Sequence, residues 1–403
     1  MQAIVLAAGE GSRMRPLTSG RPKVMLPVAG RPFLEHIILR ARGAGIDRFV
    51  LVVGFGQSAV RSHFKDGSHL GVRIEYAVQE EQLGTGDALM AAEGQAEERF
   101  MVLNGDVLPE ERSLQEMAGY HSAVSAIEVE EPERYGVFLG EGGYMKRVVE
   151  KSPSPPSRMA NAGIYVLTGR IFDALRRVAV SERGEYELTD GLNLLARDEA
   201  IRIVQISGWL EIGRPWDILA ADESLLPSME PRVRGEVEPG AVLIGKVSVG
   251  EGSIVRSGSY IVGPAMIGDG CDIGPNCYIR PYTCLGSDVR VGNAVEIKNS
   301  AVFDGTKIGH LSYVGDSVIG YGCNFGAGTI CSNLRHDGAS IRTYVKGEPA
   351  DSGRRKLGVI MGDDVKTGIH TTIYPGTVIE PGFRGAPAAV LKGLVRADGG
   401  VTE

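Results

Sequence analysis

The sequence has little of what a membrane-spanning or nucleic-acid-binding protein needs. Aromatic residues make up 6% of the 403 residues, and no apolar run reaches the roughly 18 residues of a bilayer-spanning helix. Lys and Arg number 43 against 50 Asp and Glu, for a formal net charge of −7. Binders of nucleic acid and of anionic membranes are basic, so we expect neither nucleic acid nor a membrane as a partner.

Cysteine is also scarce, with five residues and no Cys-x-x-Cys pair. An odd number without that spacing argues against disulfides and against zinc, and it fits a reducing, cytoplasmic location. The first residues, MQAIVLAAGEGSR, lack the basic start of a signal peptide. They predict a first strand that runs into a glycine-rich loop.

The chain is too long for one ordinary domain, and its composition changes along its length. All five Cys follow residue 270, whereas both Trp precede residue 217. We place the boundary in a polar, proline-containing linker at residues 227–236. In residues 1–226, short apolar runs alternate with helical periodicity, which predicts an α/β domain with a mostly parallel sheet. Ligands of such a sheet bind beyond the carboxyl ends of its strands.

The second part of the chain carries a six-residue repeat. Stepping by six from Val237 meets twelve apolar residues in succession, ending at Phe303, and the step resumes at Met361. This period predicts a parallel β-helix of hexapeptide repeats over residues 237–384, with eighteen residues in each triangular coil. A sandwich of short strands would not explain a strict six-residue period. Residues 385–403 form a C-terminal tail, either frayed or lying along a coenzyme groove.

A glycine-rich loop, Ala8-Gly9-Glu10-Gly11-Ser12-Arg13, follows the first predicted strand. Gly9 and Gly11 allow positive φ and a close backbone approach, so that main-chain N–H groups can face a phosphate. Arg13 adds a planar set of donors and Lys23 a compact positive charge. The Gly-Lys-Ser/Thr of a P-loop is absent. Taken alone, the motif is equally compatible with a plain tight turn.

The motif continues as RMRPLT at residues 13–18 and PKVMLPV at residues 22–28. With these segments, residues 1–226 resemble the sugar-phosphate nucleotidyltransferase family, which implies a Rossmann-like domain. The segment QEEQLGTGDA at residues 79–88 resembles the part of that family that binds a pyrimidine nucleotide. By this resemblance Arg13 and Lys23 are catalytic, and the nucleotide-binding residues are Ala8, Gly9, Gly11, Gln79, Gly84 and Thr85.

The same resemblance implies a magnesium site. Asp106 follows a predicted strand in Asn104-Gly105-Asp106 and would bind Mg²⁺, although an Asp at such a place can also cap the next helix. The family usually has a second Asp where this chain has Glu211. Glu211 can still coordinate through oxygen, but its longer side chain must be accommodated.

Further matches concern the sugar phosphate, for which the resemblance implies the binding residues Gly136, Glu150, Lys151 and Asn161. The implied reaction is attack by a sugar-1-phosphate oxygen on the α-phosphorus of UTP or dTTP, with release of pyrophosphate. Such a transfer depends on positioning and charge neutralisation more than on a covalent nucleophile.

A second candidate site lies in the repeat. Arg280 and Lys298 are eighteen residues apart, so successive coils would stack them on one face, where a phosphate would explain two neighbouring cations. Chance alignment is the alternative. His310 lies in an irregular part of the repeat and is suited to a general base near neutral pH. The basic segment at residues 334–358 is either a solvated excursion or a phosphate-binding flap.

Around these residues, residues 237–384 resemble the acetyltransferase half of the bifunctional N-acetylglucosamine-1-phosphate uridyltransferases, in an archaeal-type form. The resemblance implies a left-handed β-helix, acetyl-CoA as a co-substrate and a homotrimer with sites between subunits. His310 would be the catalytic base. The substrate-binding residues would be Arg280, Lys298, Tyr313, Asn324, Ala327 and Asn333. One departure is Arg335-His336-Asp337-Gly338, where bacterial members have Asn-Tyr-Asp-Gly and a nearby Lys.

We therefore expect a bifunctional enzyme that acetylates an amino-sugar-1-phosphate and then transfers a uridylyl group to the product. One alternative is a nucleotidyltransferase whose β-helix is only structural, acting on UTP or dTTP and glucose-1-phosphate. Another is a non-catalytic regulatory subunit, as in some translation-factor exchange complexes. The sequence does not distinguish glucosamine from galactosamine as the amino sugar of the acceptor, nor UTP from dTTP as the nucleotide.

Overall fold

The structure, a computed structural model, describes residues 1–402 and divides into two compact units. The first unit comprises residues 1–10, 21–25 and 33–211. The second comprises residues 11–20, 26–32 and 212 onward, so part of the glycine-rich loop groups with the C-terminal region. Within the described chain, no helix has the length and apolar character needed to cross a membrane.

The region before residue 226 alternates strands and helices. Its strands are β1 (Gln2–Leu6), β2 (Pro27–Val28), β3 (Arg31–Pro32), β4 (Arg48–Val53), β5 (Arg73–Val78), β6 (Arg99–Asn104), β7 (Val107–Pro109), β8 (Ala123–Glu128), β9 (Gly136–Glu141), β10 (Tyr144–Glu150), β11 (Met159–Thr168), β12 (Arg202–Gln205) and β13 (Trp209–Glu211). Its helices are α1 (Phe33–Gly43), α2 (Gln57–Phe64), α3 (Thr85–Met90), α4 (Glu111–Ala118), α5 (Arg170–Leu175), α6 (Leu188–Leu195) and α7 (Asp217–Leu225). The strands β2 and β3 and the helix α7 belong to the second unit.

The large sheet of the first unit is mixed. Among residues 1–402, nine strands follow the order β5-β4-β1-β6-β11-β8-β12-β10-β9. The first four are parallel neighbours, whereas β11 is antiparallel to β6 and β8, and β10 is antiparallel to β12 and β9. The prediction of a mostly parallel sheet is therefore right for the four strands β5, β4, β1 and β6 and wrong for most of the rest, although β12 and β8 are parallel. Antiparallel strands can be joined by tight turns, such as Gly142-Gly143 between β9 and β10, and need no helical crossover.

The centre of this sheet is fully buried and places two loops side by side. Ile4, Val50 and Val102 on neighbouring strands have no exposed surface. Strands buried on both faces are continuous apolar runs, which is why the sequence predicted them. At the carboxyl ends Leu6 pairs with Asn104, so the loops that follow β1 and β6 leave the sheet as neighbours.

The C-terminal part of the chain consists of three parallel sheets, I, II and III, whose strands recur in rotation. Sheet I contains Glu236–Val237, Ile254–Val255, Asp272–Ile273, Arg290–Asn293, Lys307–His310 and Asn324–Phe325. Sheet II contains Val242–Ile244, Tyr260–Val262, Tyr278–Ile279, Glu296–Lys298, Tyr313–Gly315, Ile330–Cys331, Thr372–Ile373 and Val390–Leu391. Sheet III contains Val247–Val249, Ala265–Ile267, Thr283–Leu285, Ala301–Val302, Val318–Ile319, Ile360–Met361, Val378–Ile379 and Leu394–Val395, with Val401–Thr402 added antiparallel. This arrangement is consistent with the predicted β-helix.

The repeat changes length after Ile297. Val255 pairs with Ile273, eighteen residues on, whereas Leu285 pairs with Val302, seventeen residues on. Val302 therefore takes the place in the buried aliphatic column that the six-residue step assigned to Phe303. The ring of Phe303 lies outside that column and packs 5.1 Å from the ring of Tyr321. Val302 in turn pairs with Ile319, again seventeen residues on, so two deleted residues shift the later inward positions.

Left-handed backbone conformations recur where coils turn, which explains the many glycines. Gly258, Asn276, Ala294 and Leu311 have φ of 75°, 53°, 55° and 51°. The corners at Asn276 and Ala294 stack directly, since the N–H of Ala294 donates to the carbonyl of Asn276. This conformation costs a residue with a side chain roughly 1–2 kcal/mol, which favours glycine at such corners, although Ala294 and Leu311 also adopt it.

One long insertion interrupts the coils. Ile319 pairs with Met361, forty-two residues on. The inserted chain forms an antiparallel hairpin of Arg342–Val345 and Glu348–Asp351, and Leu334 pairs with Lys356 at its base. This hairpin is the basic segment of residues 334–358. Beyond it the parallel pairing resumes and continues past residue 384, where Ile373 pairs with Leu391 and Ile379 with Val395.

Candidate active sites

The loop after β1 leaves open space where the sequence predicted a phosphate. Ala8 is buried, and its carbonyl accepts a hydrogen bond from the N–H of Phe55 at 3.2 Å. Gly9 does not have positive φ, but among the described residues nothing lies within 4 Å of the position a Cβ would take. Gly11 has φ of 70° and precedes a 3₁₀ turn at Ser12–Met14, on which Arg13 is exposed.

The predicted pyrimidine segment is held together by Gln79, which is only 5% exposed. Its Nε2 donates to the carbonyl of Gly84 at 3.0 Å and to Oδ2 of Asp87 at 2.8 Å. Gly84 has φ of 116°, and a Cβ there would lie 2.6 Å from the carbonyl oxygen of Tyr186. Thr85 Oγ1 accepts from the N–H of Leu188. The segment is therefore rigid, with the amide of Gln79 bonded to the protein.

Two carboxylates of the predicted magnesium site start from adjacent backbone positions. The ammonium group of Lys23 lies 2.8 Å from Oδ2 of Asp106. Glu211, at the end of β13, pairs with Val107, the residue after Asp106. The capping alternative for Asp106 does not hold, because α4 begins after Glu110.

The predicted magnesium site has two acidic residues, Asp106 and Glu211. Within residues 1–402, no group of three or more His, Cys, Asp or Glu side chains is arranged to hold a metal ion. Mg²⁺ usually binds one or two carboxylates and completes its shell with water and substrate phosphates. The pair Asp106 and Glu211 fits that pattern, and the nearby Lys23 adds positive charge for the same phosphates.

The predicted sugar residues lie on β9, β10 and β11. Glu150 pairs with Gly136, and a Cβ on Gly136 would lie 2.6 Å from the Glu150 carboxylate, so glycine is needed to make room for it. Burial raises the pKa of Glu150 above its ordinary value, and Arg183 at 3.6 Å opposes the shift. Lys151 is exposed at φ of 39°. Asn161 is fixed by Tyr165, whose hydroxyl accepts from its Nδ2 at 2.8 Å.

In the C-terminal part, the structure stacks Arg280 and Lys298 as expected. Ile279 pairs with Ile297 in sheet II, and the N–H of Arg280 donates to the carbonyl of Ile297. Arg280 donates to Glu296 at 2.9 Å, and Lys298 donates to Asp316 at 2.9 Å. A cavity of about 440 Å³ opens beside them, lined by Glu223, Arg280, Pro281, Tyr282, Lys298 and Asn299.

Tyr313 and Asn333 join the same cluster. Asn333 Nδ2 donates to the Tyr313 hydroxyl at 3.1 Å and to Oδ2 of Asp316 at 2.5 Å. Burial raises the pKa of the Tyr313 hydroxyl, with the hydrogen bond from Asn333 opposing the shift. The phenol therefore stays protonated and able to donate near neutral pH.

His310, Asn324 and Ala327 lie elsewhere. His310 and Asn324 are on strands of sheet I, and Ala327 follows at the corner that leads into sheet II. Across residues 1–402, no hydrogen bond joins the His310 imidazole to the cluster of Arg280, Lys298, Tyr313 and Asn333, whose members lie on or just after strands of sheet II. Within one chain, the predicted acetyltransferase residues therefore fall into two groups, one on sheet I and the corner after it, and one on sheet II.

The comparisons with known proteins match the N-terminal and C-terminal halves of the chain separately. The Nucleotidyl transferase family matches residues 2–228, and the GMPPB C-terminal domain matches residues 261–382. The bifunctional protein GlmU of Methanococcus maripaludis is 45% identical over 385 residues, covering 94% of this chain and 92% of that one.

The chain belongs to the bifunctional GlmU proteins. A second relative, the bifunctional sugar-1-phosphate nucleotidylyltransferase/acetyltransferase of Sulfurisphaera tokodaii, is 39% identical over 397 residues and covers 97% of both chains. A solved UDP-glucose pyrophosphorylase complexed with UDP-glucose has a TM-score of 0.52 at 26% identity, covering 57% of this chain and 99% of its own. The predicted family is confirmed, and with it an enzyme that joins a nucleotidyltransferase to an acetyltransferase. The Rossmann-like fold of its first half is confirmed as well.

Sequence reasoning about this GlmU protein missed the carboxylate at the centre of the second cluster. Asp316 is 3% exposed and accepts hydrogen bonds from Lys298, Asn299 and Asn333. Asp316 lies eighteen residues after Lys298, but the coil there has seventeen residues and Lys298 pairs with Gly315, so the repeat spacing did not mark it. Glu223 was also missed, and no spacing could have found it, since it is on α7 outside the repeat.

Proposed function

We propose that the enzyme catalyses two successive steps of UDP-N-acetylglucosamine synthesis. It transfers an acetyl group from acetyl-CoA to glucosamine-1-phosphate, and then a uridylyl group from UTP to N-acetylglucosamine-1-phosphate. The observation that carries the proposal is the clustering of Arg280, Lys298, Tyr313 and Asn333 in a chain that also brings Asp106 beside Lys23 and Glu211. The names of the relatives support both activities.

In the uridylyl step, a phosphate oxygen of the sugar-1-phosphate forms a bond to the α-phosphorus of UTP. The bond from that phosphorus to the bridging oxygen breaks, and pyrophosphate leaves. Arg13, Lys23 and Lys151 offset the phosphate charges, while Glu150 and Asn161 bind sugar hydroxyls. Asp106 and Glu211 would hold Mg²⁺, which supplies further neutralisation of the phosphates when bound.

In the acetyl step, the sugar amine attacks the thioester carbonyl, and the coenzyme A thiolate leaves. His310 takes the proton that the amine loses. Arg280 and Lys298 bind the sugar phosphate, Tyr313, Asn324 and Asn333 orient the sugar, and the backbone at Ala327 contacts the thioester. Because His310 lies on sheet I, away from the Arg280 cluster, we propose a homotrimer in which one site combines residues of neighbouring subunits.

The proposal includes the finer architecture. Residues 1–226 are the nucleotidyltransferase domain and residues 227–236 the linker. Residues 237–384 are a left-handed β-helix, and the tail at residues 385–403 continues its parallel pairing. The rotation of sheets I, II and III and the left-handed corners support the β-helix. All five cysteines are buried and unpaired in the described chain, which supports a reducing cytoplasm.

The deciding experiment measures release of coenzyme A thiol from acetyl-CoA in the presence of glucosamine-1-phosphate or galactosamine-1-phosphate. Steady release by the enzyme, lost in His310→Ala and kept in His121→Ala, would establish the activity and its base. His121 is an exposed histidine of the first unit and serves as the matched control. No release with either sugar would reduce the second half to a scaffold. Pyrophosphate release from UTP or dTTP tests the first half independently.

A further inference from the structure

A buried chain of polar contacts supports the Arg280 cluster from behind. Asp316 lies at its centre, with a side chain only 3% exposed and a left-handed backbone at φ of 49°. Its Oδ2 accepts from Lys298 Nζ at 2.9 Å and from Asn333 Nδ2 at 2.5 Å. In the proposed function Lys298 binds the phosphate of the substrate and Asn333 orients its sugar. A single carboxylate oxygen therefore determines where both groups point.

The other oxygen of Asp316 connects the cluster to α7. Its Oδ1 accepts from Asn299 Nδ2 at 2.9 Å, and the same Nδ2 donates to Oε1 of Glu223 at 2.9 Å. Glu223 Oε1 also accepts from Arg354 Nη2 at 2.7 Å. Arg354 comes from the long insertion, so three separate parts of the chain meet at one carboxylate. The contacts run from Arg354 through Glu223 and Asn299 to Asp316.

Charge pairing explains why the cluster needs such support. The side chains of Lys298 and Arg354 are 19% and 21% exposed, so both cations have lost most of their water. Asp316 and Glu223 compensate these two charges. A partly buried ammonium that is hydrogen-bonded on one side keeps its remaining donors aimed at the ligand, whereas an unsupported lysine has many rotamers.

We propose that Asp316 is the positioning residue of the acetyltransferase site, and that the Glu223–Arg354 ion pair holds Asn299, and through it Asp316, in the orientation that presents Lys298 and Asn333 to the sugar phosphate. This inference rests on the proposed acetyl transfer. Asp316 is buried behind these residues, and Glu223 lies in the wall of the cavity beside Arg280 and Lys298. Each acts through the residues that it holds.

Glu223 offers the cleaner test, because its side chain is 36% exposed and its replacement should not unfold the protein. Glu223→Ala removes the acceptor for both Asn299 and Arg354. Glu223→Gln keeps an oxygen acceptor in the same place. We expect the KM for glucosamine-1-phosphate in acetyl transfer to rise on the order of tenfold in Glu223→Ala with a smaller change in kcat. Glu223→Gln should restore most of the affinity, and Asp316→Asn should show the larger increase in KM.

In the full-length enzyme, pyrophosphate release should be unchanged in each variant, because Glu223 and Asp316 both belong to the second unit. Asp272→Asn breaks an ion pair with Arg256 elsewhere in the repeat and is the matched control for a lost carboxylate. An unchanged KM in Glu223→Ala and Asp316→Asn, beside an active parent enzyme, would overturn the inference alone. A fall in kcat with constant KM would also overturn it. If the parent enzyme releases no thiol, the proposed acetyl transfer fails and the inference falls with it.

Discussion

The ammonium nitrogen of Lys23 lies 2.8 Å from Oδ2 of Asp106. Glu211, on the neighbouring strand, pairs with Val107, the residue that follows Asp106. A lysine beside the proposed metal ligand gives the nucleotidyltransferase site a positive charge next to its carboxylates. Phosphoryl transfer requires such charge, because negative charge on the phosphates must be offset while the attacking and leaving oxygens stay in line. The acetyltransferase cluster, by contrast, contains no comparable pair of adjacent carboxylates among the residues proposed to bind its substrate.

Chelation should therefore separate the two activities. We expect EDTA to abolish pyrophosphate release from UTP and N-acetylglucosamine-1-phosphate and to leave thiol release from acetyl-CoA unchanged. Added Mg²⁺ should restore the first activity. Coupled assays of pyrophosphate and of free thiol on the same enzyme sample provide the measurement. Pyrophosphate release that persists in EDTA would contradict the assignment of Asp106 and Glu211 to Mg²⁺.

Substitutions of Glu211 test whether its carboxylate binds the Mg²⁺ ion. Glu211→Gln removes a charged ligand, so the Mg²⁺ concentration for half-maximal pyrophosphate release should rise by roughly tenfold or more. Glu211→Asp keeps the charge and should lie closer to the parent enzyme. Titration of the rate with Mg²⁺ measures both. An identical Mg²⁺ dependence in all three proteins would exclude Glu211 as a ligand.

Gly9→Ala tests whether the phosphates of the nucleotide occupy the open space beside Gly9, in the loop after β1. Because nothing in the described chain lies within 4 Å of the added Cβ, the variant should fold with an unchanged unfolding midpoint. A phosphate that passes close to the backbone would meet the new methyl group, so we expect kcat/KM for UTP to fall on the order of tenfold. Gly20→Ala, which also meets open space, is the control. Equal activity of the two variants would place the phosphates elsewhere.

Asp222 should make the stability of the protein depend on pH. It is 1% exposed on α7, and burial raises its pKa from 3.8 to about 7, although the N–H of Ala29 donates to it and opposes the shift. A raised pKa means that the folded protein holds the proton more tightly than the unfolded chain. This contribution is fully present below about pH 4 and is lost as pH rises toward about 7, by an amount on the order of 4 kcal/mol.

Asp222→Asn should remove that dependence while keeping an oxygen acceptor for Ala29. We expect the free energy of unfolding of the variant to exceed that of the parent increasingly as pH rises, with the difference levelling off above about pH 7. Denaturant unfolding at several pH values measures it, with the exposed Asp198→Asn as control. A constant difference across this range would show that Asp222 titrates with an ordinary pKa.

Local pattern predicted much of this molecule. The short apolar runs of the first half were identified as strands because strands buried on both faces carry continuous aliphatic sequence. The repeat was identified because each coil places one side chain inward every six residues. The antiparallel half of the large sheet was missed, since alternation of strands with helices does not specify strand direction. The shift from Phe303 to Val302 was missed because one deleted residue leaves both neighbours apolar.

The sequence by itself determined the family, the division into two halves and the residues proposed to carry the chemistry, because these depend on residue type and spacing along the chain. Tertiary structure decided which side chains meet. Lys298, Asp316 and Asn333 are brought together by coil stacking, and Glu223 and Arg354 by the return of α7 and the insertion to the same face. Contacts between distant segments depend on distances across coils and helices, and no spacing along the chain encodes those distances.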